Sequence, residues 1–183
     1  MKRVLCGCLL GILAIEAVVA QRPAAGEFEV KAAYLFNFSR FVTWPGAETP
    51  AHSDFAICVL GKDPFGASLD STLAGARVGT RPVTARRIAS AEDGVACEIV
   101  FVAASENARV GAVLAAFRRM PVLTVGDAPD FVERGGMVQF VVSGGRVRFR
   151  VNLAAAEEAG LALSADLLRV ASAVDRARTG GAR

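Results

Sequence analysis

The sequence predicts an α/β fold: a single three-layer domain with a mainly parallel sheet, helices on both faces and a C-terminal antiparallel hairpin. Three observations lead there. Short apolar runs, FAICVLG at 55–61 and CEIVFVA at 97–103, read as strands buried on both faces. Helix-length segments separate such runs, the alternation that builds parallel sheets. Finally, GGMVQFVVSGGRVRFRVN at 135–152 alternates in twos about Gly144-Gly145, the pattern of a hairpin.

The chain begins with Lys2 and Arg3, an apolar run from Val4 to Ile15, and the small residues Ala17-Val18-Val19-Ala20. This order predicts a secretory signal peptide over residues 1–20, with an apolar stretch shorter than the roughly 20 residues of a membrane span. The expected location is therefore the periplasm. Of the four cysteines, only Cys58 and Cys97 would survive cleavage, an even pair in an oxidising compartment. A bridge between them would contribute about 4 kcal/mol by the loop-entropy argument; two buried free thiols are the alternative. The full chain carries a formal charge of +3, too little to draw it to nucleic acid.

Residues 27–44, EFEVKAAYLFNFSRFVTW, read as the first helix, with acids at its start, Arg40 near its end and Pro45 stopping it. Val30, Tyr34, Phe41 and Val42 form one stripe, and Phe36 and Phe38 widen the apolar surface, which suggests cover on two sides. A polar loop over 46–53 holds His52, the only histidine. After the strand at 55–61, DPFG leads to a short helix near Ala67–Leu73, and residues 82–88 form a weaker strand. The strand at 97–103 precedes a helix through Arg118 capped by Ser105. PVLTVG at 121–126 is a further strand.

The hairpin register pairs Val142 with Val147, Phe140 with Phe149 and Val138 with Val151 on one face. Gln139, Val141, Arg148 and Arg150 then occupy the other, with Arg146 beside the turn. NLAAAEEAGL and LSADLLRVASAV close the domain as two helices, the second capped by Ser164. The domain is expected over 27–174, and the Arg- and Gly-rich segment 175–183 as a disordered tail.

Candidate chemistry is sparse. His52 has no cysteine or acid at ligand spacing, and no GxSxG elbow is present. LGKDPFG at 60–66 lacks the spacing of a phosphate loop, and Asp127 and Asp130 in GDAPDF suit a turn. These patterns support no enzyme class and no cofactor. The arginine stripe of Arg146, Arg148 and Arg150 is the strongest lead: three planar guanidinium groups on one face could hold carboxylates or phosphates, or simply protect a solvated edge.

EFEVKAAYLFNFSRFVTWP, FAICVLGKDPFG, the 135–152 hairpin with its NLAAAEEAGL continuation, and LSADLLRVA occur in an order that resembles the YfiR-like family over about Glu27 to Val174. The resemblance implies a periplasmic protein that represses a membrane-bound diguanylate cyclase by binding its periplasmic portion, keeping cyclic di-GMP low and biofilm formation off. It also implies that Cys58 and Cys97 are the bridging pair; the second disulfide of some relatives, nearer the GGM segment, has no cysteines here. Gly135, Gly136, Met137 and Phe140 match the family's strongest motif. The expected partner surface is Met137, Gln139, Phe140, Arg146, Arg148, Arg150, Asn152 and Leu153, with a homodimer as a further expectation. The rival class is a small-ligand sensor serving a histidine kinase or transporter, its pocket at the ends of the parallel strands.

Overall fold

The computed structural model describes residues 24–46 and 54–176. The predicted signal peptide, the loop residues 47–53 with His52, and the tail from 177 onward lie outside the described residues.

Helix α1, Ala24–Phe41, leads into β1, Val42–Thr43. Its buried stripe is Ala32, Leu35, Phe38 and Val42, whereas Val30 and Phe41 are exposed. The sequence-based stripe was therefore rotated from the true one: the helix follows the small-residue and leucine positions onto the sheet and leaves two large side chains outside. Strand β2, Phe55–Leu60, is buried along its whole length. It feeds α2, Ala67–Leu73, then the short β3, Arg77–Val78, and β4, Arg81–Ile88. Strand β5, Ile99–Val102, precedes a 3-10 segment over Ala104–Arg109 and α3, Val110–Phe117. Ser105 does not cap that helix: its Oγ instead accepts from the Lys62 N–H at 2.9 Å, tying together the ends of β5 and β2.

Strand β6, Leu123–Gly126, is followed by β7, Val138–Ser143, and β8, Arg146–Asn152. Helix α4, Leu153–Glu158, β9, Ala162–Leu163, and α5, Ala165–Val170, follow. The last expected helix ends early, and Ala173–Asp175 forms strand β10 instead. Ser172 explains the change: both its N–H and its hydroxyl donate to the Phe149 carbonyl at 2.8 Å, drawing the chain out of the helix and alongside β8. Asp175, expected at the head of the tail, ends this strand.

The main sheet has the order β10-β8-β7-β6-β5-β2-β4-β3. Strands β4, β2, β5, β6 and β7 are parallel neighbours, and β10 lies parallel to β8. The β3/β4 and β7/β8 pairs are antiparallel. The smaller sheet pairs β1 with β9. Alternation along β2 divides the core in two. Phe55, Ile57 and Val59 face a large cluster with α1, α2, α4 and α5; Ala56, Cys58 and Leu60 face a smaller one with α3 and Phe131. This is a mixed α/β domain of three layers, as its apolar runs predicted.

Candidate functional site

The hairpin takes the expected register: Val142 opposes Val147, Phe140 opposes Phe149 and Val138 opposes Val151. On its α1 face Phe140 and Phe149 lie 6.0 and 5.3 Å from the Phe38 ring, so that face is anchored in the main core. The opposite face carries Gln139, Val141 and Ser143 beside Arg150, Arg148 and Arg146.

The loop between β6 and β7 covers the inner half of that face. Gln139 Nε2 donates to the Ala128 carbonyl at 3.1 Å, and its Oε1 accepts from the Val132 N–H. Asn152 Nδ2 donates to the Val132 carbonyl at 3.1 Å, while its Oδ1 caps α4 by accepting from the Ala155 N–H at 3.0 Å. Met137 donates its N–H to Thr124 Oγ1 at 3.1 Å. Met137, Gln139, Phe140 and Asn152 are all buried. Four of the expected partner residues therefore hold the hairpin in place and present almost no surface.

The glycines before them serve the same end. Gly135 has a φ of +101°, outside the range of other residues. A Cβ on Gly136 would sit 2.2 Å from the Phe131 ring. The loop can cover Gln139 only because residue 136 has no side chain.

The outer half remains accessible. Arg150 pairs with Glu133 at 2.6 Å. The Arg146 and Arg148 side chains are exposed and make no ion pair or hydrogen bond with any other described residue. Val142 is 53 % exposed and Leu153 is half-buried. Two free guanidinium groups make a small cationic surface on this face, while the exposed Val142 lies on the α1 face of the same hairpin tip.

Cys58 and Cys97 are joined, with Cα atoms 6.1 Å apart. Both are buried against α3, so the bond sits inside the smaller core.

A second feature lies at the carboxyl ends of β2, β5 and β6, where successive connections leave in opposite directions and α/β folds characteristically receive ligands. A cavity of about 220 Å³ opens there between Phe28, Pro64, Lys62, Ser105 and Asp127. Behind it Lys31 is 2 % exposed, held between Glu27 at 2.6 Å and Asp127 at 2.7 Å, with its ammonium 4.5 Å from the Phe28 ring centre. Sequence reasoning missed this cluster. The available signal was a lysine at 31, next to Ala32 and on the turn between Phe28 and Leu35.

Two further charge groups serve the frame. At the amino end of the sheet Asp54 accepts from Thr84 Oγ1 and from Arg86 Nη2, each at 2.6 Å. The Thr84 hydrogen bond, with Arg86 adding to it, holds the Asp54 carboxyl below its ordinary value of 3.8, against the opposing effect of burial. At the other end Arg87 joins Asp70 and Asp63, and its guanidinium is held protonated above its usual range, by Asp70 first. Among the described residues no three His, Cys, Asp or Glu side chains gather as metal ligands.

The model of the family described as YfiR/HmsC-like matches residues 28–172. No curated protein matches the chain. Among solved structures, a conserved domain protein from Vibrio cholerae O1 biovar El Tor is similar at 12% identity and a TM-score of 0.56, covering 81% of this chain and 60% of its own. The ABC domain in complex with L-Trp from Streptococcus pneumonia is similar at 12% identity and a TM-score of 0.50, covering 76% of this chain and 60% of its own. This chain thus spans 60% of the length of each, and these likenesses concern the fold alone.

Proposed function

The chain belongs to the YfiR/HmsC-like family, and from that premise we propose that it is a periplasmic regulatory protein that represses a membrane-bound diguanylate cyclase by binding the cyclase's periplasmic sensor domain. The observation that carries the reading is the unpaired cationic surface of Arg146 and Arg148 on a hairpin fixed rigidly to the core. A rigid surface with unspent charge suits recognition, because little conformational freedom is lost on binding. Repression then needs only a preference for the cyclase's inactive conformation, and a coupling of about 1–3 kcal/mol is typical. No described helix is long and apolar enough to cross a membrane.

The test joins capture to physiology. The periplasmic domain of a neighbouring cyclase should be retained by the immobilised protein, and deleting the gene should raise cyclic di-GMP. Unchanged cyclic di-GMP together with no captured cyclase defeats the proposal. Self-association is part of the same reading, and sedimentation of the purified protein would show it.

The cavity at the strand ends favours a second reading, a small-ligand sensor. Its volume is below the 300–1,000 Å³ usual for drug-sized ligands, so it would take a molecule of a few heavy atoms or one group of a larger one. The solved neighbour in complex with L-Trp supports trying amino acids first. Calorimetry against the amino acids, with Lys62→Ala as control, tests it. Heats that persist unchanged in the variant place binding elsewhere.

A further inference from the structure

We infer that the outer edge of β7, from Phe140 to Ser143, receives an extended acidic segment of the partner as an added strand. The inference rests on the regulatory reading and specifies how docking occurs.

The backbone geometry comes first. The Asn152 N–H donates to the Met137 carbonyl at 2.8 Å, which identifies those residues as a hydrogen-bonded pair of the β7/β8 ladder. Such pairs alternate along an antiparallel ladder, so Gln139, Val141 and Ser143 exchange bonds with β8. The N–H and C=O of Phe140 and Val142 consequently point to the opposite side. There β6 ends: its pairing with β7 stops at Gly126 opposite Gln139, and the chain turns away. No described residue bonds to the Val142 N–H. The Phe140 N–H makes the last bond of that pairing, to the Gly126 carbonyl; from the Phe140 carbonyl onward β7 is an open strand edge in the middle of the sheet order, with the hairpin tip projecting past its neighbour.

The side chains around this edge indicate the occupant. An added strand lies about 4.8 Å from β7 and so about 10 Å from β8, a distance that a long arginine meeting a glutamate can span. Arg148 and Arg146, on the face away from α1, would meet acids at alternate positions of the added strand. The intervening positions would face the α1 side, where exposed Val142 and half-buried Val147 offer apolar contact. The complementary segment thus alternates acidic and apolar residues. A second copy of this chain fits poorly: pairing β7 with β7 about a two-fold axis puts both arginine sets on one face, and the nearby acid, Glu133, is engaged with Arg150.

The probe is a fluorescent eight-residue peptide of alternating Glu and Val, with a Lys/Val counterpart. The Glu peptide should bind at least tenfold more tightly than the Lys peptide, and its affinity should fall between 20 and 150 mM salt. Val142→Pro removes only an outward N–H, a change edge strands accommodate, so it should weaken peptide binding at least tenfold with an unchanged melting temperature. Arg148→Glu should weaken it comparably. Amide exchange at Val142 should slow when peptide is bound. Absence of peptide binding, an affinity within twofold in Val142→Pro, or an unprotected Val142 amide overturns the inference. Cyclase capture that Val142→Pro leaves intact also overturns it while leaving the regulatory reading standing. Peptide binding without cyclase capture defeats the cyclase assignment and keeps the edge.

Discussion

Single side chains in this protein divide between those that hold the hairpin and those left for recognition, and pH separates a member of the first group. The carboxyl of Asp54 is held below 3.8 chiefly by the Thr84 hydroxyl, with help from Arg86. A carboxyl whose folded pKa is depressed stabilises the fold above its unfolded value and loses that stabilisation as the pH falls through the folded value. Wild-type stability should therefore drop below about pH 4, and Asp54→Asn should be less stable at pH 7 yet nearly equal to wild type near pH 2. Arg86 is partly exposed, so solvent screens its share and the hydroxyl bond dominates. Melting temperatures across pH 2–7 check this; parallel curves for the two proteins would remove Asp54 from the account. A second residue is decided by space. Gly136 faces the Phe131 ring at 2.2 Å and the Phe131 carbonyl oxygen at 2.8 Å from where a Cβ would stand. Gly136→Ala should cost about 1–3 kcal/mol through overpacking, seen as an early thermal transition. Glycine at 136 was visible as a motif in the sequence, but its reason was not, since the ring it accommodates comes from a loop with no periodic pattern.

Elements were legible wherever one local pattern decided them. The hairpin register followed from alternation alone, because a slip by one residue would turn Phe140 and Phe149 outward. The Ser164 cap of α5 and the bounds of α2 were equally local. What failed depended on distant partners. Ser105 left its expected cap for the Lys62 backbone, and Ser172 ended α5 by reaching Phe149. The orientation of α1 was misjudged because Leu35 and Phe38, three residues apart, are the pair the sheet takes inward, leaving Val30 and Phe41 outside. The partner surface shows the same division. Arg146 and Arg148 were placed outward by alternation, while Asn152 was expected at the surface and is 2 % exposed. Asn152 links two elements, capping α4 and satisfying the Val132 carbonyl. Asn152→Ala loses a cap and one of the two hydrogen bonds to the buried Val132 carbonyl, which keeps the Gly135 N–H, together about 1–3 kcal/mol. Urea denaturation should register that loss, whereas Arg148→Glu should leave the midpoint nearly unchanged. A neutral Asn152→Ala would free the residue for a direct role with the partner.

At the scale of the whole molecule, the disulfide joins the centre of the sheet to the segment that enters its neighbour strand. Cys58 lies in the middle of β2 and Cys97 two residues before β5, a separation of 39 residues that encloses α2, β3 and β4. The bond closes a loop of about a fifth of the unfolded chain, which by loop entropy is worth about 4 kcal/mol, a large part of the 5–15 kcal/mol a domain has. Replacing both cysteines by alanine should lower the unfolding free energy by about 3–4 kcal/mol and steepen the urea dependence, because the unlinked chain exposes more surface. The native bond should also resist reduction. Cys58 is fully buried and Cys97 is 4 % exposed, both against the α3 side of the core, so a thiolate must wait for that core to open. Thiol labelling at a fixed, mild reductant concentration should therefore track the population of unfolded chain and rise steeply with added urea. Labelling that stays flat as urea is added below the unfolding transition would show a bond open to solvent in the folded state, one able to report redox conditions without loss of the fold.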